Sequence, residues 1–484
     1  MVSGRKQKVV IIGGGITGLT SAYYLQQELK KLSLPFEVLL IEAGPRLGGK
    51  IQTIVKDGFV IERGPDSFLE RKTSAARLAK AIGMEHDLVH STAGKSYVLV
   101  RDRLHPMPSG SIMGIPTEMK PFIFTSLFSP LGKLRAAADF VLPKSDEKND
   151  QALGSFFRRR LGDEVVENLV EPLLSGIYAG DIDELSLMST FPQFYQVEQK
   201  YGSLIRGMKK GARSRSKVRI NDEKNEKGLF LTFKRGLKSF VDQLEFSLDE
   251  GTIKKGIKVQ SILKGNDSYK IQLNSKDEIE AVAVIVAVPH KSAVSMLSNY
   301  QFLEDFKDMP TTSLATVAMA FDQSALKDEM NGTGFVVSRN SDYTITACTW
   351  THKKWPQSAP KGKALLRCYV GRPGDSAVVD LSDEEIIQII LEDLNKSMNI
   401  TERPEFSIVS RWKDAMPQYT VGHKERVVKL KKDLSDNLPG VILAGSSYGG
   451  LGIPDCIDQG EAVAAQVLSL LVSKSNIAEE SIGI

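Results

Sequence analysis

The chain has 484 residues, of which 42% are hydrophobic and 25% charged, and a formal net charge of +4. This length predicts two or three globular domains, and the small net charge gives no reason to expect a nucleic-acid partner. Three widely spaced cysteines and six histidines without ligand spacing predict neither a disulfide framework nor a metal site. We expect a reducing, cytoplasmic environment, no signal peptide, and no membrane span, because no apolar run reaches about 18 residues.

The first predicted element is a buried strand at Val9–Ile12, because branched aliphatic residues bounded by glycine are typical of a covered parallel sheet. A helix is predicted to begin at Ile16. The turn between them reads Gly13-x-Gly15-x-x-Gly18. In such a turn the first glycine permits the bend, the second lets the backbone approach a pyrophosphate, and the third lets helix and strand pack closely. The phosphates of a dinucleotide would lie at the helix N-terminus.

A second strand is predicted at Phe36–Ile41, and it ends at Glu42. A carboxylate at this point can accept hydrogen bonds from a ribose hydroxyl, and its charge would repel a 2′-phosphate. The alternative is that Glu42 is only a solvated strand end. The pattern therefore favours NAD or FAD over NADP.

The middle of the chain is predicted to contain three segments of different composition and secondary structure. Residues 76–205 are predicted to be a mainly helical insertion, in which the aromatic and proline residues of Met113 to Phe128 suggest a membrane-docking face. The basic, polar run at Arg206 to Gly228 is predicted to be an exposed loop. After it, a strand, a helix and a hairpin indicate a nucleotide domain that resumes, with a buried strand at Ala281–Val288.

The last third of the chain contains a strand-rich stretch from Thr312 to Trp412, followed by a strand, a glycine loop and a helix. Asp455 is expected to lie where this last helix begins, and capping alone would explain it. If the helix N-terminus instead faces a reduced flavin ring, its dipole would stabilise the negative charge there. A nicotinamide ring would gain nothing comparable, so this reasoning favours FAD.

The predicted fold class is α/β and α+β, with a discontinuous Rossmann-like FAD-binding domain, a sheet-based substrate domain and a helical insertion. The predicted boundaries are 1–75, 229–300 and 412–475 for the FAD-binding domain, 76–205 for the helical insertion, 206–228 for the exposed loop, 301–411 for the substrate domain and 476–484 for a flexible tail.

Six stretches together resemble one family: "GGGITGLTSAYYL", "IEAGPRLGGKIQT", "IERGPDSFLERK", "SGIYAGDIDELSLMSTFP", "RWKDAMPQY" and "GIPDCIDQG". They are similar to the Gram-positive protoporphyrinogen and coproporphyrinogen III oxidases of the monoamine-oxidase-like flavoproteins. The basic run at 206–228 follows no family pattern. The resemblance implies FAD-dependent oxidation of coproporphyrinogen III in haem biosynthesis, with six electrons passed to three O2 to give three H2O2, and it implies that protoporphyrinogen IX is also accepted.

The resemblance also implies which residues bind FAD. They are Gly13, Gly14, Gly15, Ile16, Thr17 and Gly18 at the pyrophosphate, Glu42 and Ala43 at the adenosine, Arg46, Gly48 and Gly49 along the dinucleotide, Gly64, Pro65, Asp66 and Ser67 beside the flavin, Val259 at the adenine, and Trp412, Gly452, Ile453, Pro454 and Asp455 closing over the cofactor.

For the substrate, Lys72 is expected to pair with a propionate and Ile177 to form an apolar wall. Arg367 and Tyr369 share one face of a predicted strand, and together they offer a cation and a donor. The resemblance makes flavin N5 the hydride acceptor, and no general base is nominated.

Other functions remain open from the residues alone: an FAD amine oxidase, a carotenoid desaturase, or a non-catalytic carrier with a dinucleotide-binding fold. The expected partners are a porphyrinogen, O2, a transient contact with ferrochelatase and a peripheral membrane contact. The physiological porphyrinogen depends on how many basic groups the pocket offers to propionates.

Overall fold

The computed structural model describes residues 6–145, 149–219, 227–326 and 331–482, without the side chains of 212–219 and 475–482. The strands are β1 (Gln7–Ile12), β2 (Phe36–Glu42), β3 (Thr53–Lys56), β4 (Phe59–Glu62), β5 (Phe68–Leu69), β6 (Leu88–Thr92), β7 (Ser96–Val100), β8 (Arg103–Pro106), β9 (Ser111–Ile112), β10 (Ile115–Pro116), β11 (Lys227–Phe233), β12 (Ile253–Lys255), β13 (Val259–Lys264), β14 (Tyr269–Leu273), β15 (Glu278–Ala281), β16 (Ala283–Val286), β17 (Thr311–Asp322), β18 (Gly334–Val337), β19 (Ile345–Trp350), β20 (Lys363–Val370), β21 (Phe406–Pro417) and β22 (Val441–Leu443).

The α-helices are α1 (Ile16–Lys31), α2 (Ser74–Ala81), α3 (Met119–Phe124), α4 (Pro130–Ala137), α5 (Leu153–Leu161), α6 (Asp163–Val165), α7 (Glu171–Tyr178), α8 (Leu187–Thr190), α9 (Pro192–Tyr201), α10 (Leu204–Arg219), α11 (Lys238–Phe246), α12 (His290–Met296), α13 (Glu304–Lys307), α14 (Thr351–Lys354), α15 (Asp383–Met398), α16 (His423–Asn437) and α17 (Ile453–Ile482). A π-helical turn, Val166–Val170, joins α6 to α7. None of the helices in the described ranges is long and apolar enough to cross a membrane.

The cofactor side of the molecule is a parallel sheet, whose strand order in the described chain is β12-β2-β1-β16-β22. Val9 and Ile11 of β1 face a core shared with α1 and α17, and Val10 and Ile12 face a second core shared with the hairpin strands β13 and β14. Both faces of β1 are therefore buried, as the unbroken aliphatic run predicts. The strand order also brings the carboxyl ends of β1 and β2 side by side.

The second large sheet, which is the predicted substrate sheet, is mainly antiparallel and has the order β21-β17-β20-β19-β18-β7-β8 in the described residues. Helix α15 packs on one face of this sheet, in a core with Cys348 and Cys368. The hairpin β3–β4 covers part of the opposite face, where Phe59 and Ile61 pack against Leu365. Arg367 and Tyr369 follow Leu365 on that same covered face.

The predicted boundaries need four corrections. Residues 76–205 are not only helical, since β6 to β10 lie there and β7 and β8 join the substrate sheet. The basic stretch is not a loop as far as Arg219, because α10 runs through it; lysine and arginine are good helix formers and their polarity signals exposure only. Residues 220–226 of that stretch lie outside the described residues. The boundary at 411–412 falls inside β21.

The fourth correction concerns the C-terminus. Helix α17 continues to Ile482, so the backbone of the predicted flexible tail is helical up to that residue, and residues 483–484 lie outside the described residues.

A buried ion network fixes the helical part of the chain. Arg160, which is fully buried, donates from Nε to Asp139 Oδ1 at 2.6 Å, and its Nη1 lies 3.3 Å from Glu198 Oε1. The same Asp139 carboxylate accepts from the backbone amide of Ile205 at 3.0 Å, at the start of α10. Three separate helical segments are therefore tied to one guanidinium.

Candidate functional site: a dinucleotide cradle

The glycine turn after β1 has the three properties that the sequence predicts. Gly13 has a φ of +107°, and a Cβ added there would lie 2.5 Å from the Ala287 carbonyl oxygen. A Cβ on Gly18 would lie 1.9 Å from the Gly13 carbonyl oxygen, so α1 approaches β1 closely. By contrast, a Cβ on Gly15 would meet no described atom within 4 Å. Gly15 therefore borders open space at the N-terminus of α1.

The first turn of α1 is left open for a ligand. No described side chain caps the helix at Gly15, and no acidic residue lies in its first turn, which begins with Ile16 and Thr17. Free amides and the helix dipole favour an anion at this position. The cradle thus fits the pyrophosphate of a dinucleotide.

Glu42 ends β2 next to this turn. Its Oε2 accepts from the Gly14 amide at 2.6 Å, and its Oε1 accepts from the Gly44 amide at 2.7 Å. These two bonds hold the carboxylate at the carboxyl end of the sheet, and each oxygen keeps a further lone pair for a ribose hydroxyl. Ala43 is exposed beside it.

The adenine position predicted for Val259 is consistent with the neighbouring backbone. The Ile257 amide donates to the Glu42 carbonyl at 3.1 Å, so the chain that leads into β13 lies beside the end of β2. The Val259 side chain itself is buried.

The segment that follows β2 lines the cradle. Gly48 forms a parallel bridge with Gly15, and its amide donates to the Gly14 carbonyl at 2.8 Å. Arg46 reaches across this loop and donates to the Gly49 carbonyl at 2.7 Å. Burial lowers the pKa of the Arg46 guanidinium, and the neighbouring Arg63 adds to the effect.

Lys50 is a site residue that the sequence analysis missed. Its ammonium is largely buried, which lowers its pKa, and Nζ lies 3.5 Å from Ser446 Oγ in the closing glycine loop. Its carbonyl oxygen occupies the space where a Cβ on Gly64 would lie. Lys50 therefore contacts the closing loop through its ammonium and Gly64 through its backbone carbonyl. The only local signal was a lysine directly after two glycines.

The segment Gly64 to Ser67 lies against the same cradle. Trp412 donates from Nε1 to the Arg63 carbonyl at 2.9 Å, and its ring lies 3.4 Å from the Cβ position of Gly64. The Asp66 carboxylate accepts from Lys354 Nζ at 2.8 Å. Burial opposes ionisation of Asp66, but Lys354 and Arg367 outweigh it and hold the pKa of this carboxyl well below its usual range. Pro65 lies between these fixed residues.

The closing loop leads from β22 into α17, which begins at Ile453, so that Asp455 lies in its first turn. Gly450 and Gly452 lie against the Asp455 side chain, since a Cβ on either glycine would come within 3 Å of it. Pro454 is buried. Asp455 pairs with a cation, since its two carboxylate oxygens lie 2.5 and 2.7 Å from Lys72 Nζ.

Tyr419 hydrogen-bonds to the backbone of this closing loop, a role that the sequence analysis missed. Its hydroxyl donates to the Ser446 carbonyl at 2.6 Å and accepts from the Gly450 amide at 2.8 Å. Its ring stacks on His423 with centroids 4.1 Å apart. Burial first, and then Arg426, lowers the pKa of His423 to about 4, so the stacked imidazole is neutral near pH 7.

The four predicted substrate residues have different surroundings. Lys72 is half-buried in its pair with Asp455. Ile177, in α7, has an exposed fraction of 51%, so an apolar side chain is open to solvent near the end of this helix. Tyr369 is half-buried, and the Arg367 guanidinium lies 5.0 Å from its ring centroid. Arg367 itself is buried and turned towards Arg63 and Gly64.

A cavity lies beside Gly64 to Ser67, under the hairpin β3–β4, and Glu62, Asp66, Trp355, Ser358 and Arg367 are among its lining residues. Burial raises the pKa of Glu62 to about 7, although the Leu237 amide and Thr53 hydroxyl both donate to its carboxylate. Among the described residues, no three histidine, cysteine or acidic side chains are grouped to hold a metal.

The parallel sheet, the uncapped N-terminus of α1 after β1, and the Glu42 carboxylate at the end of β2 together define a dinucleotide-binding protein of the Rossmann type. The family model described as flavin-containing amine oxidoreductase matches residues 16–468. The chain belongs to this family, and its cofactor is a flavin.

Comparison with individual proteins confirms the resemblance inferred from the motifs. The chain is 55% identical over 472 residues to the coproporphyrinogen III oxidase of Bacillus subtilis, with 98% of this chain and 100% of the relative covered. It is 46% identical to the coproporphyrinogen III oxidase of Staphylococcus aureus, with 96% and 100% covered. A crystal structure from Exiguobacterium, assigned as a protoporphyrinogen oxidase, has a TM-score of 0.85, 39% identity, and coverage of 97% and 99%.

Proposed function

We propose that this chain oxidises coproporphyrinogen III to coproporphyrin III in haem biosynthesis, passing six electrons to three O2 with release of three H2O2. The observation that carries the proposal is the 55% identity to a coproporphyrinogen III oxidase along the full length of that relative. Protoporphyrinogen IX is proposed as a second substrate, since protoporphyrinogen oxidases of plants are 28–29% identical over about the same range. An amine oxidase is not favoured, because putrescine oxidase is 15% identical and shares the fold alone.

The flavin is proposed to be FAD. The carboxylate of Glu42, next to the open start of α1, suits the ribose of an adenosine half that FMN lacks. When bound, a flavin supplies the acceptor for hydride and the reaction with O2.

The chain's own residues would then bind and orient the substrate. Ile177 is proposed as part of an apolar wall for the macrocycle, and Lys72 and Tyr369 are proposed as polar contacts at its edge. Asp455 keeps the Lys72 ammonium at one position beside the closing loop, so that its charge is available to a propionate. Neither the sequence nor the geometry of the described residues identifies a general base.

The proposal is tested with the purified protein. We expect it to be yellow, to bleach when mixed anaerobically with coproporphyrinogen III, and to recover colour in air. Steady-state kcat/KM is expected to be higher with coproporphyrinogen III than with protoporphyrinogen IX. A colourless protein that binds no flavin, or one that is not reduced by either porphyrinogen, would refute the proposal.

Lys72→Met is expected to raise KM for coproporphyrinogen III about three- to tenfold with kcat nearly unchanged, because a half-exposed charge contributes binding in both ground and transition states. Arg77→Met is the matched control. Arg77 lies in α2, five residues after Lys72, and also pairs with an acid of α17, Glu461. Equal effects of the two substitutions would mean that Lys72 only supports α17.

A peripheral membrane contact is proposed for the helical region, through what we call the apolar face. It consists of Ile123, Phe124, Leu131, Leu134 and Val141, whose exposed fractions are 52–84%. Ile123 and Phe124 belong to the predicted stretch Met113 to Phe128, but Phe122 and Phe128 of that stretch are buried. Leu131 and Leu134 are three residues apart in α4, so they lie on one side of this helix, and Val141 follows the next turn. Exposed Lys120, Arg135 and Lys144 flank the face in sequence, which favours an anionic lipid surface.

We expect the protein to co-sediment with phosphatidylglycerol vesicles and much less with phosphatidylcholine vesicles. Replacing Phe124 and Leu131 with serine should abolish most of this binding. Phe246→Ser is the control, because Phe246 is 82% exposed on α11, outside the apolar face. Equal binding of the two variants would contradict the assignment. A cytoplasmic location and a transient contact with ferrochelatase stay predictions.

A further inference from the structure

Three neighbouring strands of the substrate sheet converge on one carbonyl oxygen at the cradle. The Arg63 carbonyl accepts from Thr316 Oγ1 of β17 at 2.8 Å, from Trp412 Nε1 of β21 at 2.9 Å and from Arg367 Nη2 of β20 at 3.4 Å. The same Nη2 donates to the Gly64 carbonyl. The backbone at Arg63–Gly64 is therefore bonded to the sheet by side chains of three strands.

The other side of this backbone faces the cofactor cradle. The Lys50 carbonyl and the Trp412 ring fill the space around the Gly64 Cα. Lys50 lies two residues after Gly48, which bridges to Gly15. A shift of Arg63–Gly64 would therefore be transmitted to the cradle wall.

Arg367 is poorly suited to contact the substrate directly. Only 4% of its surface is exposed, and its Nη2 donates to two backbone carbonyls. Its Nε is buried and finds no partner among the described residues. Arg367 lines the same cavity as Glu62 and Asp66. Both carboxyl groups lie near enough to interact with the charge of its guanidinium.

We infer that Arg367 is a positioning residue, which ties the backbone of Arg63–Gly64 to the substrate sheet and thereby sets the wall of the flavin site. This rests on the proposed location of the flavin. It replaces the expectation that Arg367 presents its cation to the substrate. Arginine suits this role because the two N–H groups of Nη2 are fixed in the guanidinium plane and can serve both carbonyls, whereas a lysine ammonium is a point charge on a flexible stem.

The test compares the Arg367→Met and Arg367→Lys holoenzymes with wild type. We expect the Kd for FAD to rise about 10- to 100-fold in Arg367→Met, as for loss of a charge-assisted hydrogen bond, and less in Arg367→Lys. The flavin absorbance bands and reduction potential should shift in both variants. The KM for coproporphyrinogen III should change less than twofold. Lys363→Met is the control, because Lys363 lies at the start of the same strand and pairs with Asp322.

The outcomes separate the possible roles of Arg367. A raised KM with unchanged flavin affinity and spectrum would make it a substrate contact and overturn the inference. A lower Tm with unchanged flavin properties would make it merely structural, with the same consequence. If Arg367→Met does not fold, Arg367→Lys decides, and wild-type flavin properties in that variant overturn the inference. If wild type itself holds no flavin, the proposed function fails instead.

Discussion

Gly15→Val is expected to lower the affinity for FAD about 100-fold or more while leaving the apoprotein folded. Gly15 has φ −71° and ψ 175°, which any residue adopts, and an added Cβ meets no atom of the described chain within 4 Å. A valine side chain would instead occupy the space in front of the α1 amides, where the phosphates are proposed to bind. The loss corresponds to about 2.7 kcal/mol of binding free energy.

Flavin titration of the apoprotein measures this effect, and circular dichroism with thermal unfolding checks the fold. Two further glycine variants are informative. Gly211→Ala, within α10 and also without close neighbours in the described chain, should leave flavin binding unchanged and stabilise the helix slightly. Gly18→Ala should destabilise the apoprotein, because its Cβ collides with the Gly13 carbonyl. Normal flavin binding by Gly15→Val would exclude the start of α1 as the phosphate site.

Arg160→Met is expected to lower the free energy of unfolding by about 3–5 kcal/mol, or to prevent folding of the helical part at 37 °C. The substitution leaves the carboxylates of Asp139 and Glu198 buried without their shared guanidinium. It also releases the carbonyls of Asp139 and Gly202, to which Arg160 Nη2 donates at 2.8 Å.

Denaturant unfolding monitored by circular dichroism would measure this cost. Arg135→Met serves as the control, because exposed Arg135 also donates to helix carbonyls, those of Arg158 and Arg159, but shields no buried acid. We expect it to cost about 1 kcal/mol or less. Similar losses of unfolding free energy in the two variants would show that the buried ion network stabilises the fold no more than the exposed hydrogen bonds of Arg135 do.

The cofactor half of the molecule was predictable because its signals are local. The strands predicted at Val9–Ile12 and Phe36–Ile41 are confirmed as β1 and β2, with ends that differ by two residues or fewer. Glu42 ends β2 as expected. These features depend on neighbouring residues alone: an aliphatic run, glycines at fixed spacing and an acid one strand later. The hairpin β13–β14 was found in the same way.

The remaining features depend on contacts between distant parts of the chain. The alternation of period two put Arg367 and Tyr369 on one face, but only the packing of hairpin β3–β4 shows that Arg367 is covered. Similarly, Lys50 meets Ser446 across almost 400 residues, and no local pattern records that contact. Arg160 is the last of three consecutive arginines, and nothing in that run distinguishes the buried one from its neighbours.

The interleaving of β1, β16 and β22 has a consequence for biogenesis. The parallel sheet draws its edge strand from Val441–Leu443, and α17, which covers α1, comes last of all. At about 5–20 residues per second, the apolar surface of α1 waits about 20 s or longer for its partner. Apolar surface that is exposed for this time makes a nascent chain prone to aggregation. A variant truncated before Ile453 should therefore yield insoluble product.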